Sequence, residues 1–297
     1  MLAAFAGAAL AAAPAGAQSI TGHYPAGAEG IRAGTTPPPG QYTKLYNLFY
    51  TADEFMGADG RSADPNFSLF SYTAALRHFW ITDLKILGAT YGMDVAVLLT
   101  DNELKVSTPG GILHRSTVGF GDMLIQPLVL AWHGSNWDAC VLYGLWVPTG
   151  TFDAKNPASV GKGFWTHMAG LGTTWYPDAA KSWSVSLANR LEYHTENHDL
   201  NVTPGKHYSL EAGVAKHLGA TWEVAAVGTI AQKITDDRGS GVTYDPSIHD
   251  RAFAAGVEVT KFFPAMKTQL SLRWLHEFNA IERPQGDAIW LSLAKIW

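Results

Sequence analysis

About twelve stretches of this chain alternate polar and apolar residues, and turn-forming residues separate them. Alternation with a period of two places successive side chains on opposite faces of a strand. Many stretches reach the roughly 9–11 residues that a tilted transmembrane strand needs. The sequence therefore predicts an all-β fold, a transmembrane antiparallel up-and-down β-barrel of about 12 strands. The predicted strands lie near 41–52, 67–82, 84–100, 118–133, 136–147, 163–176, 182–196, 206–217, 222–233, 251–262, 267–279 and 286–297.

The alternation is clearest in residues 182–196. Serine, arginine, glutamate and histidine share one face there, while Trp183, Leu187 and Leu191 share the other. An Arg or Lys on the lipid face near the bilayer midplane costs roughly 2–4 kcal/mol, so the charged faces must turn inward. The candidate lumen residues, which would line the path of a substrate, are Arg77, Arg190, Glu192, Glu211, Glu223, Arg273 and Glu277. They either polarise and select a small solute or pair with each other to satisfy buried charge.

The predicted connections alternate between short and long. Short ones lie near 82–83, 134–135, 177–181, 218–221 and 263–265, and long ones near 53–66, 101–117, 148–162, 197–205, 234–250 and 280–285. Outer-membrane barrels have short periplasmic turns and long outer loops. The final stretch ends on Trp297 and resembles the assembly signal of such barrels. We therefore expect a location in the bacterial outer membrane, with outer-membrane lipid and the barrel-assembly machinery as partners.

The first 40 residues differ from the rest in composition. Residues 1–17 form an apolar run that ends in the small-x-small pattern Ala15-Gly16-Ala17, which predicts a signal peptide. A basic n-region is missing, so we expect the native start to lie upstream or the sequence to be trimmed. Residues 18–40 are rich in Gly and Pro and predict either a plug inside the lumen or a solvated periplasmic tail. Residues 41–297 form the predicted barrel.

Composition and motifs exclude several classes of function. A net charge of −5 argues against a nucleic-acid partner. His194 and His198 lie on a strand and its outgoing loop, where their spacing does not bring two imidazoles to one ion, so no metal and no cofactor is predicted. No G-x-S-x-G motif is present, and we expect no enzyme activity. An outer-membrane hydrolase is the last alternative, since spacing alone does not exclude a triad on the outside of the barrel.

Pro127 lies inside a predicted strand that also contains Gly119 and Gly121. Proline donates no ladder hydrogen bond, so it marks a bulge or kink in a closed sheet. One hypothesis is that this strand bends away from its neighbour and opens a lateral exit to the bilayer. The alternative is a harmless bulge at the rim.

Five stretches carry a resemblance to a known family, namely PPPGQY at 37–42, GFGDMLIQPLVLAW at 119–132, VPTGTFD at 147–153, NRLEYHTEN at 189–197 and QKITDDRGSG at 232–241. They resemble the meta-pathway phenol-degradation protein family, a family of outer-membrane barrels. The resemblance covers nearly all of the chain after the predicted signal peptide. It implies an outer-membrane protein, linked to aromatic degradation, that helps small hydrophobic or aromatic compounds to enter.

The expected function is therefore passive entry of a small hydrophobic or aromatic solute, and the resemblance implies that this solute is phenol-like. Capture would use aromatic residues of the predicted outer loops, namely Phe67, Phe152, Phe164 and Trp165. The alternative of another class is a non-conducting barrel that binds a ligand or braces the envelope. A plugged interior would favour that alternative.

Overall fold

The computed structural model describes residues 20–297, which form one closed antiparallel β-barrel. The predicted signal peptide lies outside the described residues. The strands are β1 Gly40–Met56, β2 Ser68–Ile86, β3 Ala89–Thr108, β4 Gly111–Phe120, β5 Met123–His133, β6 Trp137–Val147, β7 Thr166–Trp175, β8 Trp183–His194, β9 His207–Leu218, β10 Trp222–Lys233, β11 Arg251–Phe263, β12 Thr268–Ile281 and β13 Arg283–Ile296. Pairing of β1 with β13 closes the sheet.

The barrel has twelve strands because β4 and β5 together form one of them. β3 pairs with β4 along residues 99–108 and with β5 along residues 90–96. The two segments are separated only by Gly121 and Asp122. The predicted fold class and strand number are thus confirmed.

Helical structure is almost absent from this barrel. Within residues 20–297 the only helical element is the single 3-10 turn Pro264–Met266, between β11 and β12. None of the described residues belongs to a helix that is long and apolar enough to cross a membrane.

Exposed aromatic side chains mark both edges of the lipid-facing surface. On β8, Trp183 and Tyr193 are both exposed, and the apolar Leu187 and Leu191 lie between them on the same face. Ten residues at about 3.3 Å per residue, tilted by about 40°, rise by about 25 Å. That height equals the apolar band of outer-membrane barrels. At the edge of Trp183, Trp137 pairs directly with Trp175 and both are exposed.

The turn between β2 and β3 lies later in the chain than predicted. It consists of Leu87 and Gly88, which both have positive φ, at 52° and 78°. This is the backbone of a tight two-residue hairpin turn, in which a leucine is unusual. Thr82 and Asp83, where the turn was predicted, lie instead in an irregularity of the β2–β3 ladder.

The prediction of a long loop at 101–117 is also wrong, because most of these residues belong to paired strands. β3 and β4 continue as a paired hairpin to Thr108 and Gly111, with only Pro109 and Gly110 between them. The residues here are polar because the hairpin projects beyond the bilayer, where no lipid-facing pattern is required. The predicted long connection 280–285 is also wrong, because only Glu282 separates β12 from β13. Pro284 lies within β13 and pairs with Phe55 of β1, while β12 and β13 pair with each other only as far as His276 and Asp287.

Candidate functional site

Residues 20–39, called the plug below, lie inside the barrel and contact its wall at both ends. Thr35 Oγ1 donates a hydrogen bond to Asp138 Oδ2 at 2.9 Å, at the end of the barrel with short turns. Lys162 Nζ, from the long connection between β6 and β7, donates to the carbonyl of Thr21 at 3.0 Å. The plug therefore runs through the lumen from the end with short turns to the end with long loops.

Three wall carboxylates bind the backbone of the plug. Glu192 on β8, Glu211 on β9 and Glu258 on β11 are all buried. Each accepts hydrogen bonds from backbone N–H groups, which otherwise would be unpaired inside the barrel. The donors are His23 and Tyr24 to Glu192, Glu29 and Gly30 to Glu211, and Ile31 to Glu258, at 3.0 to 3.2 Å.

One plug carboxylate, Glu29, bridges two buried arginines of the wall. Its Oε1 accepts from Arg77 Nη1 at 3.1 Å and from Arg190 Nη2 at 2.7 Å. Arg77 also binds Asp94 through two nitrogens, at 2.7 and 3.0 Å. Burial by itself raises the pKa of Glu29, but the guanidinium groups of Arg77 and Arg190 outweigh it and hold that pKa well below its usual range. Glu29 is therefore ionised, and it secures the middle of the plug.

Tyr24 occupies a socket that three kinds of group form. Its ring packs against an apolar region of the lumen, called the apolar wall below and made of Ala96, Leu124, Val129, Leu142, Trp146 and Met168. The guanidinium of Arg190 lies 4.7 Å from the ring centroid. The phenolic hydroxyl donates to Glu211. All three parts of this socket come from the barrel.

The head of the plug, His23, is fixed at the break between β4 and β5. His23 Nε2 lies 2.9 Å from Asp122 Oδ2, and its ring stacks on Trp146. Asp122 also accepts from the backbone N–H groups of Gly150 and Lys162, at 2.9 and 2.8 Å. Burial by itself raises the pKa of Asp122, but these hydrogen bonds bring it below its usual value. The carboxylate at the strand break thus binds both the plug and the long connection between β6 and β7.

A chain of hydrogen bonds continues from His23 across the barrel. Its donor–acceptor distances lie between 2.6 and 3.2 Å, and most of its side chains are buried. It runs through Asp122, His23, Thr166, His194, His207 and Asp250. These histidines bind neighbours within the protein, and residues 20–297 contain no group of three or more His, Cys, Asp or Glu arranged to hold a metal ion.

The seven candidate lumen residues all lie on inward faces, but they do not form ion pairs with one another. Among the described residues no ion pair joins two of the seven, and each has other partners. Arg273 pairs with Glu258 at 2.9 Å, and Glu223 pairs with Arg32 of the plug at 3.0 Å. Glu277 accepts from Tyr50 at 2.6 Å, nearer the long loops. Most of the set therefore faces the plug.

The candidate kink residues lie on either side of the strand break. Gly119 belongs to β4 and Gly121 to the break itself, where a Cβ would lie 3.3 Å from Leu98 Cβ. Pro127 is exposed in the middle of β5, away from the rim. The ladders on both sides of it skip residues, between Ile125 and Leu128 towards β6 and opposite Gly92 and Asp94 towards β3. The two neighbours of β5 are thus both weakly paired at Pro127.

Sequence reasoning missed several residues that hold the plug. Asp94 and Glu258 lie on predicted strands at inward positions. The alternation that identified the other lumen residues could therefore have identified these two as well. Tyr24 and Glu29 lie in an irregular segment without periodicity, and no sequence signal assigns them a role. The predicted capture residues Phe67 and Phe164 are buried, so neither can meet a solute at the surface. Phe164 instead packs against His23 and His194.

The closed twelve-stranded sheet, its aromatic edges and its charged interior define a bacterial outer-membrane β-barrel. The chain belongs to the family described as "Putative MetA-pathway of phenol degradation", whose model matches residues 52–293. The predicted family and location are therefore confirmed.

A solved structure of an outer-membrane channel shares this fold. The chain is similar to an outer membrane channel from Pseudomonas putida F1, with a TM-score of 0.74, 17% identity and coverage of 89% of this chain and 97% of that one. It is more distantly similar to the beta domain of the Bordetella autotransporter BrkA, with a TM-score of 0.45, 10% identity and coverage of 88% and 100%. No curated protein matches the sequence.

Three of the five stretches that carried the family resemblance lie around the head of the plug. Asp122 comes from the stretch at 119–132 and binds Gly150 of the stretch at 147–153. Asn197, from the stretch at 189–197, donates to the carbonyl of Lys162 at 2.8 Å. Residues that are far apart in the sequence therefore form one structure, which holds the plug and the long loop at the outer end.

Proposed function

We propose that this protein is a passive outer-membrane channel that admits small hydrophobic or aromatic compounds such as phenols. The apolar wall carries the proposal. It is one of two apolar clusters inside a lumen that charged and polar side chains also line, and it is the one that touches the plug through Tyr24. Sites that bind small organic molecules combine an apolar surface with a few polar groups, and this part of the lumen has both.

Passage requires the plug to leave its seat. The plug is held by hydrogen bonds, by the ion pairs of Glu29 and Arg32 and by small apolar contacts, and no disulfide fixes it to the wall. The cavity that remains beside Gly27 and Gly30 has a volume of about 10 Å³, enough for about one water molecule. A solute therefore passes only after displacement of the plug, in whole or in part.

A lateral exit fits the same wall. Leu124 and Val129 belong both to the apolar wall and to β5, on either side of Pro127. The interrupted ladders around Pro127 lower the number of hydrogen bonds that would break if a hydrophobic solute left the lumen for the lipid at this place. The description of the family names phenol degradation, and the similar protein from Pseudomonas putida F1 is an outer membrane channel; both support the proposal.

Liposome swelling with the refolded protein tests the proposal. Small phenols and aromatic acids are compared with sugars of similar mass, and empty liposomes correct for direct permeation. We expect faster uptake of phenols than of sugars. Equal uptake of both would make the protein a general pore and contradict the selectivity that we propose.

The seated plug favours a second candidate, a non-conducting barrel that binds a ligand or braces the envelope. In that case no solute would cause swelling, even in a variant whose plug is displaced. The same liposomes, prepared with the Gly30→Ala variant considered in the Discussion, therefore separate the two candidates.

A further inference from the structure

The socket of Tyr24 has the chemistry of a binding site for a phenol, and the phenol group that fills it is the side chain of Tyr24 itself. The ring of Tyr24 lies on the apolar wall, one face of the ring meets Arg190, and the hydroxyl donates to the buried carboxylate of Glu211. These contacts satisfy each part of a phenol, namely an apolar ring, a π face that attracts a cation and one O–H donor.

The socket belongs to the wall, so it persists when the plug leaves. Met168, Arg190 and Glu211 lie on β7, β8 and β9, which pair along most of their length. Arg190 contacts the ring of Tyr24 and Glu211 accepts from its hydroxyl, so each loses a partner if Tyr24 moves away. A buried carboxylate without a donor is costly, so the empty socket favours a ligand that brings an O–H group.

From this arrangement we infer that the socket is a phenol-binding site of the lumen and that Tyr24 occupies it until a free phenol takes its place. The inference rests on the proposed function, because it names the solute class and the point at which that solute competes with the plug. Entry of the solute and release of the plug are then one exchange. A hydrocarbon without a hydroxyl leaves Glu211 unpaired and does not complete the exchange, and a benzoate places its charge against that carboxylate.

The test uses p-cresol, which is the side chain of Tyr24 without its backbone, and p-xylene, which has a methyl group in place of the hydroxyl. Binding is measured by equilibrium dialysis on the full-length protein in nanodiscs, with empty nanodiscs subtracted. In Tyr24→Ala the competitor is gone, so p-cresol binds at least about tenfold more tightly than to the wild type if the plug is seated at least nine-tenths of the time. The control is Tyr72→Ala, which removes a tyrosine that packs on Phe49 at the lipid-facing surface.

A second substitution tests the role of the carboxylate. Adding Glu211→Leu to Tyr24→Ala removes the acceptor and leaves the socket apolar, so the preference for p-cresol over p-xylene falls by roughly tenfold or more. Equal affinity of p-cresol for Tyr24→Ala, for Tyr72→Ala and for the wild type would overturn the inference. If the variants do not fold, an experiment on the wild type still tests the inference. Cys140 lies beneath the plug, so p-cresol has to speed the labelling of its thiol and p-xylene must not.

The two proposals fail in different ways. If phenols swell liposomes but p-cresol does not bind better to Tyr24→Ala, the channel stands and the socket is not its phenol site. If p-cresol binds as expected but no solute causes swelling, the socket stands and the protein is a ligand-binding barrel.

Discussion

Gly30 is the residue whose substitution should release the plug most directly. Its φ is +75°, and its N–H donates to Glu211 at 3.2 Å. A Cβ built on it overlaps the guanidinium of Arg273 and the carboxylate of Glu258. Those two groups form a buried ion pair at 2.9 Å. An alanine at this position therefore cannot coexist with both the seated plug and the ion pair.

The magnitude follows from two separate costs. A non-glycine residue in the left-handed region costs about 1–2 kcal/mol. Breaking a buried ion pair on one side costs about 3–5 kcal/mol. The second cost alone lowers the ratio of seated to displaced plug by about a hundredfold or more. The control is Gly88 in the β2–β3 turn, a left-handed glycine outside the plug, because its φ is +78° and a Cβ on it meets no atom within 4 Å.

Cys140 is a native reporter of the plug position. It is buried on β6, and its Sγ, Gly34 Cα and Ala33 O all lie within 2.9 Å of the position of a Cβ on Gly172. A small neutral maleimide reaches the thiol only when the plug moves. We expect labelling of Gly30→Ala to be at least about ten times faster than that of the wild type, and labelling of Gly88→Ala to be unchanged. Equal rates in the two variants would refute the reasoning from close approach.

Three further predictions follow from the same contacts. Glu29→Gln weakens the seat of the plug by about 3 kcal/mol, because two buried arginines lose a charge partner. Labelling of Cys140 should therefore become faster, whereas the control Glu54→Gln, at an exposed position, should leave it unchanged. Burial lowers the pKa of His23 to about 4, so between pH 6.5 and 4 only the displaced plug binds the proton, and acid favours displacement by up to about 3 kcal/mol. Single-channel conductance should then rise below pH 6.5 in the wild type and less in His23→Gln, whereas a flat profile would exclude His23 as the titrating group. Pro127→Val restores a ladder donor, so phenol uptake should slow, and unchanged uptake would reject the lateral exit.

The barrel could be predicted from the sequence because the bilayer imposes a strict rule on each strand. Residues that face lipid are mostly apolar, and charges face inward. β8 follows this rule, since Ser186, Arg190 and Glu192 are buried while Leu187 and Leu191 are exposed. The polar residue on its outer face, Asn189, accepts a hydrogen bond from Tyr208. Prediction failed where the rule stops applying. The hairpin of β3 and β4 beyond the bilayer and the turn at Leu87 obey only local hydrogen bonding, and local sequence specifies that weakly.

The plug illustrates a second limit. Its contacts use backbone N–H groups and close approaches at Gly22 and Gly30, and neither leaves a periodic signal. The wall, in contrast, does leave a periodic signal in the sequence. Inward carboxylates outnumber inward arginines in the candidate lumen set, and two of them, Glu192 and Glu211, have no arginine within ion-pair distance among the described residues.

Such an excess of buried acceptors requires donors from elsewhere. In the seated state the donors are the N–H groups of the plug and the hydroxyl of Tyr24. A solute that displaces the plug takes over the same requirement, because the carboxylates remain in the wall. We therefore expect the lumen to prefer neutral molecules that donate a hydrogen bond over anions, which the carboxylates repel, and over hydrocarbons, which leave the carboxylates unpaired. Of small aromatic compounds, phenols meet this requirement and also fit the apolar wall.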